Sequence, residues 1–414
     1  MLVFLSDLHL TDGSSGQTIK PAAFKLFLDN LGKLATSVTP LNEIRLVLLG
    51  DVFDVIRSCK WLGGKVRPWD DRSPVQEQMV LSIVEGILGN NAQTLAHLRN
   101  IEAIARDCCV PFQIDYVIGN HDWLINRYPS AQAKVVQALG LAQKQPFASE
   151  FFEPQYKVIA RHGDIYDPFN YTGDRDASSL GDAIVIELLD RYPDEVGREL
   201  DSLVQGQQIT IDERKRIVER LKELDNLRPT TEAPSWVLSV LGDTPNPDAR
   251  KVIETTWRRC VDQFFKVPYV HDQDKPFWPD KVDLLQAIFQ LSSHLSKTVL
   301  ERVTEWKSRF AFADPDKHYL HAAGEEPRIR SGEASYVLYG HTHNHVMVPI
   351  EHVRFSNGNI QDKVYFNTGT WRMTWNKASA NRDFVGWHVL TYITIFHEKE
   401  NGFYNFEVWN GALG

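Results

Sequence analysis

A mixed α/β fold interrupted by a large helical insertion is what this sequence predicts, and three observations lead there. Over residues 1–172, short Leu/Val/Ile-rich runs alternate with helix-length amphipathic segments, the pattern of buried strands joined by covering helices. From about 178 to 323 only helical segments recur, broken at Arg228-Pro229, Thr244-Pro245-Asn246-Pro247 and Lys275-Pro276-Phe277-Trp278-Pro279. From 334 to 414 strand patterns return. The expected division is an N-terminal α/β half (1–172), a helical cap with a core of its own (173–333) and a C-terminal β-rich half (334–414). At 414 residues the chain exceeds what one simple core holds, which suits an insertion.

Taken in order, Val3-Phe4-Leu5 is a strand running into Ser6-Asp7-Leu8-His9. A Gly/Ser/Asp loop at 11–16 follows, in which Asp12 and Gly13 either form a turn or face a substrate. Pro21 opens a helix with Phe24, Phe27, Leu28, Leu31 and Leu34 on one stripe. Leu46-Val47-Leu48-Leu49 is a strand that stops at Gly50 and presents Asp51 and Asp54. Residues 57–74 are irregular and hold Arg57, Trp61, Arg67, Trp69 and Arg72. They form either a rim that grips a phosphate- or ring-bearing substrate or a solvated loop whose tryptophans cover the core edge.

Helical periodicity covers 75–106 and divides near Gly89-Asn90-Asn91. A strand at 112–118 delivers Gly119-Asn120-His121-Asp122, a helix follows at 130–139, and a strand at 156–161 delivers His162-Gly163-Asp164. Beyond it, Asp164, Asp167 and Asn170 either support the histidine or cap the next helix. The insertion's helices are expected at 180–189, 211–224, 236–241, 249–265 and 282–310. Strand 336–339 ends in Gly340-His341-Thr342-His343. Strands at 346–350, 364–367, 387–396 and 403–409 complete the chain, with hairpin turns at Asn357-Gly358 and Asn401-Gly402.

Five strand ends thus supply only Asp, Asn and His. Any one of them is explained as a turn former or a core histidine; five compatible sets, each beyond its own strand, are not. Oxygen and imidazole donors without thiolates suit Mn²⁺, Fe²⁺ or Zn²⁺, and two adjacent cations need a shared carboxylate, a role that falls to Asp51.

The order Asp-x-His, Gly-Asp-x-x-Asp, Gly-Asn-His-Asp, a later His and Gly-His-x-His resembles that of the calcineurin-like metallophosphoesterase superfamily. Within it, the opening Ser6-Asp7-Leu8-His9-Leu10, the His-Gly-Asp block and a helical insertion look like UDP-2,3-diacylglucosamine pyrophosphatases. This insertion is much larger, and none of its residues can be matched to theirs. The resemblance implies a four-layer αββα sandwich and two divalent metal ions, Mn²⁺ first, with Fe²⁺ or Zn²⁺ as alternatives. It places Asp7, His9, Asp51 and His343 on one metal and Asp51, Asn120, His162 and His341 on the other. His121 is then the catalytic group facing the substrate, oriented by Asp54. Phe366-Asn367-Thr368-Gly369-Thr370-Trp371-Arg372 resembles a block of many relatives and makes Arg372 a phosphate contact, beside Arg57 and Arg67 on the rim. The activity implied is hydrolysis of a phosphodiester or pyrophosphate by hydroxide held between the metals, on a small nucleotide-like or nucleoside-diphosphate-linked molecule. A nuclease of DNA or RNA ends and a phosphomonoesterase or protein phosphatase are the alternatives.

The net charge of −9 and pI near 5.9 argue against broad coating of nucleic acid, which needs basic surface. Cys59, Cys108, Cys109 and Cys260 form no Cys-x-x-Cys pair, and because the first residues lead straight into the Asp-x-His strand, no signal peptide is expected. No apolar run approaches the roughly 18 residues of a membrane span. A reduced, cytoplasmic compartment is expected, with Cys108-Cys109 at the buried end of a helix.

Overall fold

The computed structural model describes residues 1–16, 18–142, 146–228, 230–274, 281–289, 315–354, 360–379, 383–400 and 404–413. Its strands are β1 (Leu2–Leu5), β2 (Ile44–Leu49), β3 (Phe112–Val117), β4 (Phe151–Glu153), β5 (Val158–Ala160), β6 (Tyr336–Tyr339), β7 (His345–Arg354), β8 (Ile360–Thr368), β9 (Met373–Lys377), β10 (Phe384–Ile395) and β11 (Phe406–Leu413). They form two mixed sheets. The first has the order β11-β10-β1-β2-β3 with β9 paired to β10, and the second the order β4-β5-β6-β8-β7. In the first, β1, β2 and β3 are parallel, with Phe4 opposite Val47 and Leu48 opposite Tyr116. In the second, β5, β6 and β8 are parallel.

Side chains alternate faces along a strand, and the apolar residues sort accordingly. Leu2, Phe4, Val47, Leu49, Ile393 and Ile395 of the first sheet pack with Val158, Ala160, Leu338 and Phe366 of the second in one core between the sheets. Val3, Leu5, Leu46, Leu48 and Leu390 face the other way, onto helices such as Pro21–Ser37, whose Phe24 and Phe27 lie against Trp371 at 4.9 and 5.4 Å. Ile159, Val337, Tyr339 and Tyr365 face outward from the second sheet onto Tyr319, Ala323 and Ile329. Each sheet draws strands from both ends of the chain. β10 and β11 join the first sheet, and β4 and β5 join the second. Sheet membership is set by which faces bury together, not by order along the chain.

Among the described residues, the insertion does not keep a separate core. Its Leu180, Leu188, Tyr192, Trp236 and Trp257 belong to the same apolar cluster as the helices on the first sheet. Trp236 packs on Trp375 and Phe384, both at 5.0 Å, Leu227 bridges to Trp375, and Trp69 stacks on Tyr269 at 5.0 Å. At its far end the helix Pro315–Glu325 packs on the second sheet through Tyr319 and Ala323.

Several elements differ from expectation. Helix 75–106 divides twice, into Pro74–Asn90, Ala92–Arg99 and Ile101–Asp107. Asn91 carries the first break, its side chain donating to the carbonyls of Thr11 and Ile87 at 2.8 Å each. Helix Arg191–Gln205, which contains Pro193 and Gly197, was not among the expected helices. It continues directly from a π-helical stretch, Val185–Asp190, with Pro193 in its first α-helical turn. Strands β4 and β9 were also missed, being three and five residues long. Cys109 is exposed beyond its helix rather than buried. The joint at Lys275-Pro276-Phe277-Trp278-Pro279, most of 282–310 and both Asn-Gly turns lie outside the described residues. Among those described, no helix is long and apolar enough to cross a membrane.

A shared core has a measurable consequence. Trp236→Ala is expected to lower stability by about 3–5 kcal/mol and to shift one unfolding transition common to the whole chain, followed in denaturant by fluorescence and circular dichroism. A second, separate transition would show that the insertion folds on its own.

Candidate metal centre

The loops beyond β1, β2, β3, β5 and β6 meet at the carboxyl ends of these strands. They are knitted together by their backbones: Asp7 N–H donates to the Gly50 carbonyl (3.1 Å), His9 N–H to that of Asp51 (2.9 Å) and Gly340 N–H to that of His162 (2.8 Å). Turning side chains inward at these loops requires left-handed backbone. Asp7, His9, Asp51, His341 and His343 all have positive φ, between 45° and 70°. Such a conformation costs an L-residue about 1–2 kcal/mol and concentrates at functional sites. Two glycines make the close approach possible. A Cβ on Gly50 would stand 2.5 Å from the His162 ring, and one on Gly119 would collide with the Asp51 carboxylate and stand 2.7 Å from its backbone nitrogen.

Hydrogen-bond inventory fixes which ring nitrogens face inward. His9 Nδ1 donates to Asp54 (2.7 Å), and His162 Nδ1 donates to the Leu49 carbonyl (2.9 Å), which leaves both Nε2 atoms as lone pairs. His341 donates from Nε2 to Asp167 (3.0 Å), leaving Nδ1. Two clusters result. In one, His9 Nε2 and His343 Nε2 are 2.9 Å apart beside Asp7 Oδ1, at 3.7 and 3.2 Å. In the other, His162 Nε2 lies 3.2 Å from Asp51 Oδ2 and 3.1 Å from Asn120 Oδ1, with His341 alongside. Asp51 Oδ2 is also 3.7 Å from His9 Nε2, so it reaches both clusters.

These residues fit a pair of divalent cations. Asp7 Oδ1 is buried without a hydrogen-bond partner, with the Nε2 atoms of His9 and His343 turned toward it at 3.7 and 3.2 Å. The carboxylates' demand for positive charge shows in His162: burial opposes its charged form, yet Asp51 and Asp7 push it up to about 10.

Asp54 does more than orient His121. One oxygen accepts from His121 Nδ1 (2.8 Å) and the Arg57 N–H (3.0 Å); the other accepts from His9 Nδ1 (2.7 Å) and Arg57 Nη1 (3.0 Å). Burial raises its pKa, but His121 and Arg57 outweigh that and hold the carboxyl well below its ordinary value. Of the three acidic and amide residues beyond His162, Asp167 holds His341, Asn170 accepts from the Asn120 side-chain amide (3.4 Å), and Asp164 pairs with Arg175 instead.

Beside these clusters lies a cavity of about 930 Å³, lined among others by His121, Arg57, Phe169, Phe289, Trp387 and Asn410. The three arginines expected to contact phosphate fare differently. Arg57 lines the cavity, but its guanidinium is held between Asp54 and Asp225, the latter at 3.3 Å. Arg67 does not line it; its guanidinium pairs with Glu187 (2.6 Å) and caps the Trp61 and Gly64 carbonyls. Arg372 does not line it either, being buried to 1% beside Gly16. A long side chain's direction is set by the packing around it, which neighbours in sequence do not reveal. Trp61 is buried and Trp69 stacks on Tyr269, so the tryptophans of this loop cover core rather than form a rim.

Two residues escaped sequence reasoning. Asp122 braces the centre from behind, accepting from the N–H groups of Val52 (3.1 Å) and Gly119 (2.6 Å) and from the Tyr116 hydroxyl (2.6 Å). Burial and the nearby Asp51 push its carboxyl up to about 7. Its place as the last residue of Gly-Asn-His-Asp was the available signal. Arg228, from the insertion, carried none.

No protein-family model matches this chain, and no curated protein matches it.

Gly119→Ala is expected to displace Asp51 and to lower the metal bound at both clusters, read by elemental analysis after dialysis against Mn²⁺. Gly89→Ala, where an added Cβ meets nothing within 4 Å, is the control and should leave metal content unchanged. Full metal content in Gly119→Ala would show that Asp51 is not held in place by this contact.

Proposed function

We propose that this chain is a two-metal phosphoesterase of the calcineurin-like kind, built on that superfamily's αββα sandwich, and that it hydrolyses a phosphodiester or pyrophosphate bond in a small nucleotide-like or nucleoside-diphosphate-linked molecule. The observation that carries the reading is the convergence of seven side chains from five loops into two clusters that share Asp51, with the His121–Asp54 pair beside them in the cavity. Asp7, His9, Asp51 and His343 would hold one divalent ion, and Asp51, Asn120, His162 and His341 the other. Such ions supply Lewis acidity toward phosphoryl oxygens and make water a nucleophile near neutral pH.

The chain's own residues do the rest. Asp54 fixes the His9 and His121 rings at once, so substrate-side and cluster-side imidazoles keep a constant spacing, their centroids 4.9 Å apart. With Nδ1 committed to Asp54, His121 has only Nε2 with which to give a proton to the leaving oxygen. Asp167 and Asn170 keep His341 and Asn120 turned inward. Phe169, Leu285 and Phe289 exclude water on the insertion side of the cavity, while Asn376, Asn410 and Trp387 offer carboxamides and an indole to a ring-bearing group.

A small substrate is favoured over a nucleic acid because the arginines that would form a basic track are each matched by a carboxylate: Arg57 by Asp54 and Asp225, Arg67 by Glu187 and Arg72 by Asp176. The test is elemental analysis together with hydrolysis of bis-p-nitrophenyl phosphate, p-nitrophenyl phosphate, nucleoside-diphosphate sugars and single-stranded DNA in Mn²⁺. A chain that binds no metal and splits none of them would refute the reading.

His121→Ala is expected to keep its metal and lose about 10²–10⁴-fold in turnover of substrates with a poor leaving group, with a smaller loss on a nitrophenyl diester. Asp54→Asn is expected to be more severe than loss of orientation alone, lowering bound metal as well, since it also weakens the hold on His9. Equal loss on both substrate types in His121→Ala would remove the proton-donor role.

A further inference from the structure

Resting on the phosphoesterase reading above, we propose that Arg228, delivered by the helical insertion, is a catalytic residue that grips a non-bridging oxygen of the substrate's phosphoryl group. The insertion's main chain sets it in place. Leu227 bridges to Trp375 of β9, and the Arg228 N–H donates to the Trp375 carbonyl at 3.0 Å. Trp375 is itself fixed, its indole N–H donating to Glu223 at 2.7 Å and its ring lying under Arg220. The segment therefore behaves as an extra strand-like contact on the first sheet, and Arg228 reaches the cavity wall from a braced backbone.

The guanidinium's partners are incomplete. Nη1 donates to the carbonyls of Asp225 and Leu227 at 3.1 and 2.7 Å, while Nη2 lies against His343. None of these groups carries negative charge, unlike the carboxylates that answer Arg57 and Arg67. The contact with His343 also conflicts with a ligand role. When Nε2 of a neutral imidazole binds a cation, Nδ1 carries the proton and becomes a donor. A guanidinium donates only, so Nη2 would then face a donor and must find an acceptor elsewhere. The cavity it lines is the place left, and a phosphoryl oxygen is the acceptor that matches its charge and fork. The insertion then contributes to the chemistry itself, which a lid that only covers the site would not.

Arg228→Gln and Arg228→Lys, each in the full chain loaded with Mn²⁺, separate this role from mere support of His343. Bound metal and melting temperature should stay unchanged, while inorganic phosphate, titrated by calorimetry, should bind Arg228→Gln at least tenfold more weakly, with partial recovery in Arg228→Lys. Turnover should fall by about 10²–10³-fold. In the unsubstituted chain, phosphate should shield Arg228 from phenylglyoxal, read by peptide mass mapping, a measurement that needs no variant. Unchanged phosphate affinity in Arg228→Gln, absence of shielding, or loss of metal as the sole effect of both variants would each overturn the proposal. If the unsubstituted chain binds phosphate but splits no ester, the phosphoesterase reading fails and Arg228 is still judged on phosphate binding. If it binds no phosphate, both fail.

Discussion

Three carboxylates, Asp7, Asp51 and Asp54, sit within a few side chains of one another at 0–1% exposure, and the structure around them is arranged to answer their charge. Burying an unpaired ion costs several kcal/mol even after relaxation, so each oxygen needs a partner. Asp54 is satisfied within the chain by Arg57 and two imidazoles. Asp51 takes the His121 N–H at 2.8 Å and Asp7 the His341 N–H at 2.9 Å, each through one oxygen. The remaining oxygens face imidazole nitrogens of His9, His162 and His343. The left-handed residues and the glycines packed against His162 and Asp51 keep that arrangement, at a cost in backbone strain that an ordinary turn would not bear.

The same charge ties the insertion to the centre. Arg57 stands between Asp54, on the β2 loop, and Asp225, in the insertion. Burial pushes Asp225 up despite Arg57, and burial together with Asp225 pushes Asp190 well above its ordinary value. Arg57 thus acts as a buried clasp rather than a surface grip. With the aromatic contacts of Trp236 and the bridge at Leu227, it makes the insertion a structural part of the site wall.

What the sequence by itself determined was local. The metal-ligand candidates were legible because each follows a short apolar run that can only be a buried strand, and a strand's end places its next residues at a sheet edge whatever the rest of the chain does. The helices with an uninterrupted stripe, such as Pro21–Ser37 with Phe24, Phe27 and Leu31 buried, were legible for the same reason. Helix Arg191–Gln205 was not, since the π-helical stretch that accommodates Pro193 is a tertiary compromise with no residue signature.

Only the tertiary structure decided how distant pieces share space. It put β10 and β11 beside β1, placed Asp54 between two histidines rather than one, sent Arg67 to Glu187 and Arg372 into the interior, and brought Arg228 to the cavity. The physical reason is reach. An Asp or a His on a tight loop is aimed by its own backbone, whereas an arginine's flexible stem and a strand's choice of neighbour are settled by whichever apolar faces and opposite charges the whole fold brings near.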